Sequence, residues 1–309
     1  MTSERLDLAA SIDVSDASVA DHNVAIDEDM LSVVAAEPAS GRLGWYANLK
    51  AHRKTWMAIS GFREVLLIAA VYSMYDMTRF LVAGKSSDAF AHGRWLLQFE
   101  QRIALDPEHA LNRLFDAHMS LGLTADYLYA TLHYIVTPLV LIWMWRRHGA
   151  AYSRARSVLM IATIVGLVGY SLLPVAPPRL LPGFVDTMAK LSHYGWWSTA
   201  ASAPRGLGGE TNQFAALPSL HVGWAIWCGW QLVRYGRHQV TKVVGVLYPI
   251  VVTVVVMGTA NHYFIDAVAG AAVVLLATLI VGGLIRIGVV KSPEEEAPPP
   301  PAEPATTTV

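Results

Sequence analysis

The chain has 309 residues, 54% of them hydrophobic and 15% charged, and its formal net charge is −1 at pH 7. Soluble domains usually carry about 25% charged residues, and a near-neutral chain lacks the basic surface that attracts nucleic acid. The composition therefore predicts a membrane protein and excludes nucleic acid as an expected partner. The single cysteine, Cys228, excludes an intrachain disulfide.

Two polar tails flank the apolar part of the chain. Residues 1–55 are acidic with little periodicity, which predicts a largely disordered tail and a juxtamembrane segment. This tail lacks the basic stretch and apolar core of a signal peptide, so the first apolar run is expected to act as an uncleaved insertion signal. Residues 291–309 are rich in proline and glutamate and predict a second disordered tail. The membrane domain is expected at residues 56–290.

Apolar runs of about 20 residues predict an all-α, polytopic membrane protein with six transmembrane helices. The predicted spans are 62–83, 125–146, 155–174, 217–235, 240–260 and 263–287. Between the first two spans, residues 87–122 mix apolar side chains such as Trp95 with charged ones such as Arg94 and Glu100. This pattern predicts an amphipathic segment that lies along the membrane interface. Pro107 indicates that a second helix starts within the segment.

Basic residues predict the orientation of the spans. They concentrate before the first span, between spans two and three, between spans four and five, and after span six. Because basic segments stay on the cytoplasmic side, a multi-pass protein of the cell membrane with both termini in the cytoplasm is expected. The outer side then holds residues 84–124, 175–216 and 259–262, and the polar motifs described next fall there.

A histidine and an aspartate lie one helical turn apart at the start of the last span. The spacing of His262 and Asp266 places both side chains on one face of a helix. The carboxylate could fix the tautomer of the imidazole and make its other nitrogen a nucleophile or base. Alternatively, the pair only caps the helix. His133, in the second span, could face the same site or could simply be packed within the bundle.

Two further polar motifs could handle phosphate. The fourth span begins Pro-Ser-Leu-His at 218–221, and the free N–H groups of Ser219, Leu220 and His221 would point out of the helix end, where phosphate binds. His221 could also protonate a leaving oxygen, or could be an interfacial histidine without a chemical role. Arg179, which follows the third span, could hold phosphate through its planar guanidinium, or could only extend toward the interface.

The order of these motifs resembles the type 2 phosphatidic acid phosphatase superfamily, and within it the branch that contains fungal inositol phosphorylceramide synthase. The motifs are Pro-Pro-Arg at 177–179, Pro-Ser-Leu-His at 218–221 and His-Tyr-x-x-Asp at 262–266. The resemblance covers about residues 90–287. It also includes Glu100, the stretch 108–112 and the triplet 132–134.

The resemblance implies a role for each matching residue. His262 would form a phosphohistidine intermediate with Asp266 as its partner, His221 would be the acid for the leaving group, and Arg179 would hold the phosphate with Ser219 nearby. Phosphatases of the superfamily also carry an arginine shortly before the nucleophile and a lysine upstream of the first arginine. Residues 256–260 contain no arginine and residues 172–174 contain no lysine. The synthase branch shares the missing arginine, which favours transfer to an alcohol over transfer to water.

Together, the residues and the resemblance predict a membrane enzyme that moves phosphate, or a phosphate-bearing headgroup, from a lipid phosphoester to an alcohol acceptor or water. No cofactor is expected. One alternative is a simple phosphatase acting on phosphatidate or polyprenyl phosphate. Another is a lipid transporter without enzymatic activity, and a third is a metal site built from His221, His262 and Asp266. The sequence does not determine the lipid, the acceptor or the oligomeric state.

Overall fold

The computed structural model describes residues 86–197 and 213–288, together with Phe62, Leu66 and Ser73. Within the two continuous ranges the fold is built from helices and connecting segments, with one isolated parallel bridge between Val175 and Ala215. The helices are α1 (Ser86–Arg102), α2 (Pro107–Ala117), α3 (Met119–Arg147), α4 (Gly149–Leu172), α5 (Thr187–Lys190), α6 (Leu220–Tyr235), α7 (Gln239–Gly258) and α8 (Phe264–Arg286). Short 3₁₀ turns occur at Pro178–Leu180 and Ser192–Tyr194.

Among the described residues, four helices, α3, α4, α7 and α8, are long and apolar enough to cross a membrane. They coincide with four of the six predicted spans. The span predicted at 217–235 starts only at Leu220, and the 16 residues of α6 extend about 24 Å, which is less than the roughly 30 Å of a hydrocarbon core. The span predicted at 62–83 lies outside the described residues, apart from Phe62, Leu66 and Ser73. The count of six spans therefore stays a prediction.

The amphipathic segment predicted at 87–122 consists of two helices and the start of a third. As predicted, Pro107 begins the second helix, α2. Trp95 and Phe99 stack on each other on the exposed side of α1, with ring centroids 5.6 Å apart. Glu100, which the sequence placed among the charged residues of this segment, is instead fully buried. The segment therefore exposes the apolar side chains of Trp95 and Phe99 and buries the polar side chain of Glu100.

Helix α6 lies at the centre of the bundle and packs against α3, α4, α7 and α8. Its Trp227 and Cys228 are fully buried, and Trp227 donates a hydrogen bond from Nε1 to the carbonyl oxygen of Ala155 at 2.9 Å. A Cβ atom on Gly245 of α7 would lie 2.8 Å from the carbonyl oxygen of Gly229 in α6. Only glycine permits this backbone approach, which is the usual way in which membrane helices pack closely.

The ends of four helices define where the site lies. Helices α4 and α7 end, and α6 and α8 begin, at the same end of the bundle, where Arg179 bonds to Ala260 and Ser219 bonds to Asp266 through the backbone. The basic connections at 146–156 and 234–242 lie at the opposite end. The three polar motifs therefore meet at the end of the bundle that is remote from these basic residues.

Candidate active site

His262 lies in the short connection between α7 and α8, with 3% of its surface exposed. Its Nδ1 is 2.9 Å from the carbonyl oxygen of Ala216 and 3.3 Å from Oδ2 of Asp266. Because both of these neighbours are acceptors, Nδ1 carries the hydrogen and Nε2 keeps its lone pair. The geometry leaves Nε2 as the nitrogen available for chemistry.

Asp266 performs both functions that its sequence position allowed. Its Oδ2 accepts a hydrogen bond from the backbone N–H of Tyr263 at 2.9 Å, which caps the start of α8. The same oxygen contacts His262. Asp266 is fully buried, so its geometry is set by the protein and not by solvent. The two interpretations of this pair, a cap and a partner for histidine, are therefore compatible.

His221 lies in the first turn of α6, and its ring centroid is 5.6 Å from that of His262. Two side chains from α3 hold the His221 ring. Tyr129 stacks on it with a centroid distance of 4.6 Å, and His133 meets it almost perpendicularly at 4.5 Å. His133 contacts His221 and is also packed within the bundle against Trp224, so the two possibilities for it are compatible.

The start of α6 differs from the sequence-based expectation. Ser219 is the N-cap, and its Oγ accepts from the N–H of Val222. The N–H of Ser219 donates to the carbonyl oxygen of Asp266 at 2.9 Å, and the N–H of Leu220 lies 3.4 Å from the hydroxyl of Tyr170. The prediction that these N–H groups are free to bind phosphate is therefore wrong for Ser219 and Leu220. Their bonds instead fix α6 against α8 and α4.

Ser219 has a narrower possible role than the sequence suggested. Its side chain is fully buried, and the cap bond uses only a lone pair of Oγ. The hydroxyl proton can still donate, so a direct contact with phosphate stays a prediction.

Arg179 lies in the 3₁₀ turn after α4 and is held against the loop of His262. Its Nε donates to Oδ1 of Asn261 at 2.9 Å, and its Nη1 lies 3.4 Å from Oδ2 of Asp186. The backbone N–H of Arg179 donates to the carbonyl oxygen of Ala260 at 2.8 Å. Only 6% of the side chain is exposed. These bonds fix the guanidinium plane and leave further N–H groups for an anion.

Asp186 is itself fixed by the short helix α5. Its Oδ1 accepts from the N–H of Ala189 at 2.9 Å. The next residue, Thr187, donates from Oγ1 to Oδ1 of Asp126 in α3 at 2.7 Å. This connection anchors α5 to the bundle and holds Asp186 beside Arg179.

Sequence reasoning missed several members of this site. Asn261 directly precedes the His-Tyr-x-x-Asp motif but was given no role, and Asp186 and Tyr129 were not singled out. The carbonyl oxygen of Ala216 makes the shortest bond to His262, and a backbone acceptor has no sequence signal. Among the described residues, no group of three or more His, Cys, Asp and Glu side chains is placed to hold a metal ion.

A crevice lies beside His221, between α3, α6 and α7. Its cavity volume is about 10 Å³, which is room for about one water molecule. Its walls are mainly apolar and come from Leu128, Leu132, Val252 and Val255, together with the rings of His133 and Tyr248. His221 therefore lies beside a narrow gap with mainly apolar walls.

Residues 94–280 match the PAP2 superfamily, and this match spans more than half of the chain. The chain therefore belongs to the PAP2 superfamily, which makes it an enzyme that hydrolyses or transfers phosphoesters. This confirms the superfamily that the motifs predicted, whereas the branch of fungal inositol phosphorylceramide synthase stays a prediction. No match to the chain was found among curated proteins or solved structures.

Proposed function

We propose that this protein is a lipid phosphotransferase that works through a phosphohistidine intermediate on His262. The observation that carries the proposal is the pairing of Nδ1 of His262 with Ala216 and Asp266, which leaves Nε2 as the nucleophile. In the first step, Nε2 forms a bond to phosphorus while the bond between phosphorus and the departing alcohol oxygen breaks. His221 gives a proton to that oxygen.

The second step returns the enzyme to its starting state. His221, now neutral, takes a proton from an incoming hydroxyl group, whose oxygen bonds to phosphorus as the phosphorus–nitrogen bond breaks. Arg179 stabilises the charge on the phosphoryl oxygens throughout. Its fixed guanidinium supports this role, since a preorganised donor costs no rearrangement during the reaction.

A lipid donor and an alcohol acceptor fit the surroundings of the site. The side chains that line the crevice beside His221 are mainly apolar, which supports a lipid as the departing group, since that group leaves next to the acid. The missing arginine in residues 256–260 favours an alcohol acceptor over water, and inositol or a lipid alcohol is the expected class. The basic connections at the opposite end of the bundle support a site at the extracytoplasmic face of the cell membrane, because basic segments stay on the cytoplasmic side.

The test uses purified protein and a panel of labelled lipid phosphoesters, with and without inositol or other alcohols. An acceptor should raise turnover and appear in the product. Release of free phosphate that no acceptor changes would instead identify a lipid phosphate phosphatase. Activity should survive an excess of chelator, and loss on chelation with recovery on adding zinc would favour the metal alternative.

The intermediate is tested separately. His262→Ala should abolish turnover and remove an acid-labile, base-stable phosphoprotein that wild type forms with labelled substrate. His221→Ala should lower turnover by about 10²–10⁴-fold, the usual contribution of positioned proton transfer. The matched control is His193→Ala, which changes an exposed histidine outside the site. A fully active His262→Ala enzyme would refute the mechanism.

A further inference from the structure

Two glutamates, one from α1 and one from α2, are buried behind the connection between α7 and α8 that carries His262. Glu100, near the end of α1, and Glu108, in the first turn of α2, have no exposed surface. Their carboxyl groups lie within hydrogen-bonding reach of each other. Within the described part of the chain, Oε2 of Glu100 and both oxygens of Glu108 have no N–H or O–H donor. Buried carboxylates in this position cannot both be ionised without a large cost.

Glu100 directly contacts the start of α8. Oε1 of Glu100 accepts a hydrogen bond from the backbone N–H of Ile265 at 2.6 Å. Ile265 lies in the first turn of α8, immediately before Asp266 and three residues after His262. The bond satisfies one of the N–H groups that a helix start leaves without an internal partner. Glu100 therefore holds the turn that carries the aspartate partner of the nucleophile.

The surrounding charges favour one proton between the two carboxyl groups. Burial, together with the neighbouring Glu108 and Asp266, raises the pKa of Glu100 to about 9. Burial also raises the pKa of Glu108. The other titratable groups that act on the pair or respond to its charge are Asp106, His109 and Tyr263. Of these, Asp106 raises the pKa of Glu108 and His109 lowers it through its opposite charge.

We infer that Glu100 and Glu108 share one proton and act as a positioning pair that holds the first turn of α8, and with it Asp266 and His262. The Glu100 hydroxyl donates to Glu108, while the other Glu100 oxygen accepts from Ile265. The pair then carries a single negative charge beside Asp266. Loss of the shared proton would place a second negative charge in the same buried space and push α1 and α2 away from α8.

The shared proton predicts a particular pH profile. Below about pH 9 Glu100 keeps its proton, and the pair holds the first turn of α8 in place. As pH rises through about 9 the proton leaves, and wild-type kcat should fall by about tenfold per pH unit. Glu100→Gln copies the protonated state, because its amide oxygen accepts from Ile265 and its NH₂ group donates to Glu108. This variant should keep wild-type kcat within about threefold at pH 7, and its alkaline decline should disappear or move at least one pH unit higher.

Three variants and a spectroscopic measurement test the pair. Glu100→Ala removes both bonds and should lower kcat at least tenfold, with a smaller change in KM. Asp88→Asn, an exposed carboxylate on the same helix, is the matched control and should leave the profile unchanged. Infrared difference spectra of wild type against Glu100→Gln should show the C=O stretch of a protonated carboxyl group at pH 7, and this band should vanish as pH rises through about 9.

The outcomes separate this inference from the proposed function on which its kinetic test rests. Equal alkaline declines in wild type and Glu100→Gln, or no protonated carboxyl band, would overturn the shared proton. A folded but inactive Glu100→Gln enzyme would also overturn it, because a full carboxylate or a bound cation would then be required. If His262→Ala stays active while the infrared band is present, the histidine mechanism fails and the proton-sharing pair stands.

Discussion

Gly93 offers a test of how closely α1 must approach the site. A Cβ atom at this position would lie 2.6 Å from the carbonyl oxygen of Ala176 and 3.1 Å from the hydroxyl of Tyr263. These two groups share a hydrogen bond of 2.9 Å. Ala176 precedes the turn of Arg179, and Tyr263 follows His262. Gly93→Ala would therefore insert a methyl group where the turn that carries Arg179 is bonded to the connection that carries His262.

The size of the effect follows from these distances. Ordinary contact with Cβ begins near 3.4 Å, so the Ala176 backbone must move by roughly 0.8 Å to accept the methyl group. Overpacking of this kind costs about 1–3 kcal/mol, against a gain of about 1 kcal/mol from replacing glycine with alanine in a helix. The fold should survive, but a displacement near 1 Å can lower turnover by about 100-fold.

The assay compares kcat of Gly93→Ala with that of wild type on one labelled lipid phosphoester. We expect a loss of between about 10-fold and 100-fold. The control is Gly283→Ala in α8, where a Cβ atom meets nothing within 4 Å, and its kcat should stay within about twofold of wild type. A Gly93→Ala enzyme as active as this control would refute the argument that α1 positions the segments that carry Arg179 and His262.

Two other predictions concern the phosphate site and its side of the membrane. Arg179→Lys keeps the charge but loses the planar bonds to Asn261 and Asp186. Because hydrogen bonds to a charged group are worth about 1.5–3 kcal/mol, KM for the phosphoester should rise about 10- to 100-fold. An unchanged KM would show that Arg179 does not bind the phosphoester. A membrane-impermeant maleimide applied to intact cells should label His193→Cys and not His238→Cys, and the reverse pattern would place the site in the cytoplasm. Wild type serves as the blank for labelling, because its only cysteine is buried.

The sequence alone determined the features that depend on local pattern. Long apolar runs predicted the helices α3, α4, α7 and α8, because an apolar segment in lipid must form its backbone hydrogen bonds within itself, as a helix does. The four-residue spacing of His262 and Asp266 predicted their contact, although His262 lies two residues before α8 starts and Asp266 reaches back to it from the first turn of the helix. The order of the polar motifs predicted the superfamily. None of these inferences needed to know which helices are neighbours.

Only the tertiary structure decided how the site is held together. The N–H groups of Ser219 and Leu220 looked available in the sequence, yet α8 and α4 supply their acceptors. The carbonyl oxygen of Ala216 binds His262 from another segment, and a backbone oxygen is the same in every residue. Glu100 looked like a solvated charge, but α1 turns it inward to meet Glu108 and the start of α8. Local pattern fixes which helices form, whereas partners distant in sequence depend on how those helices pack.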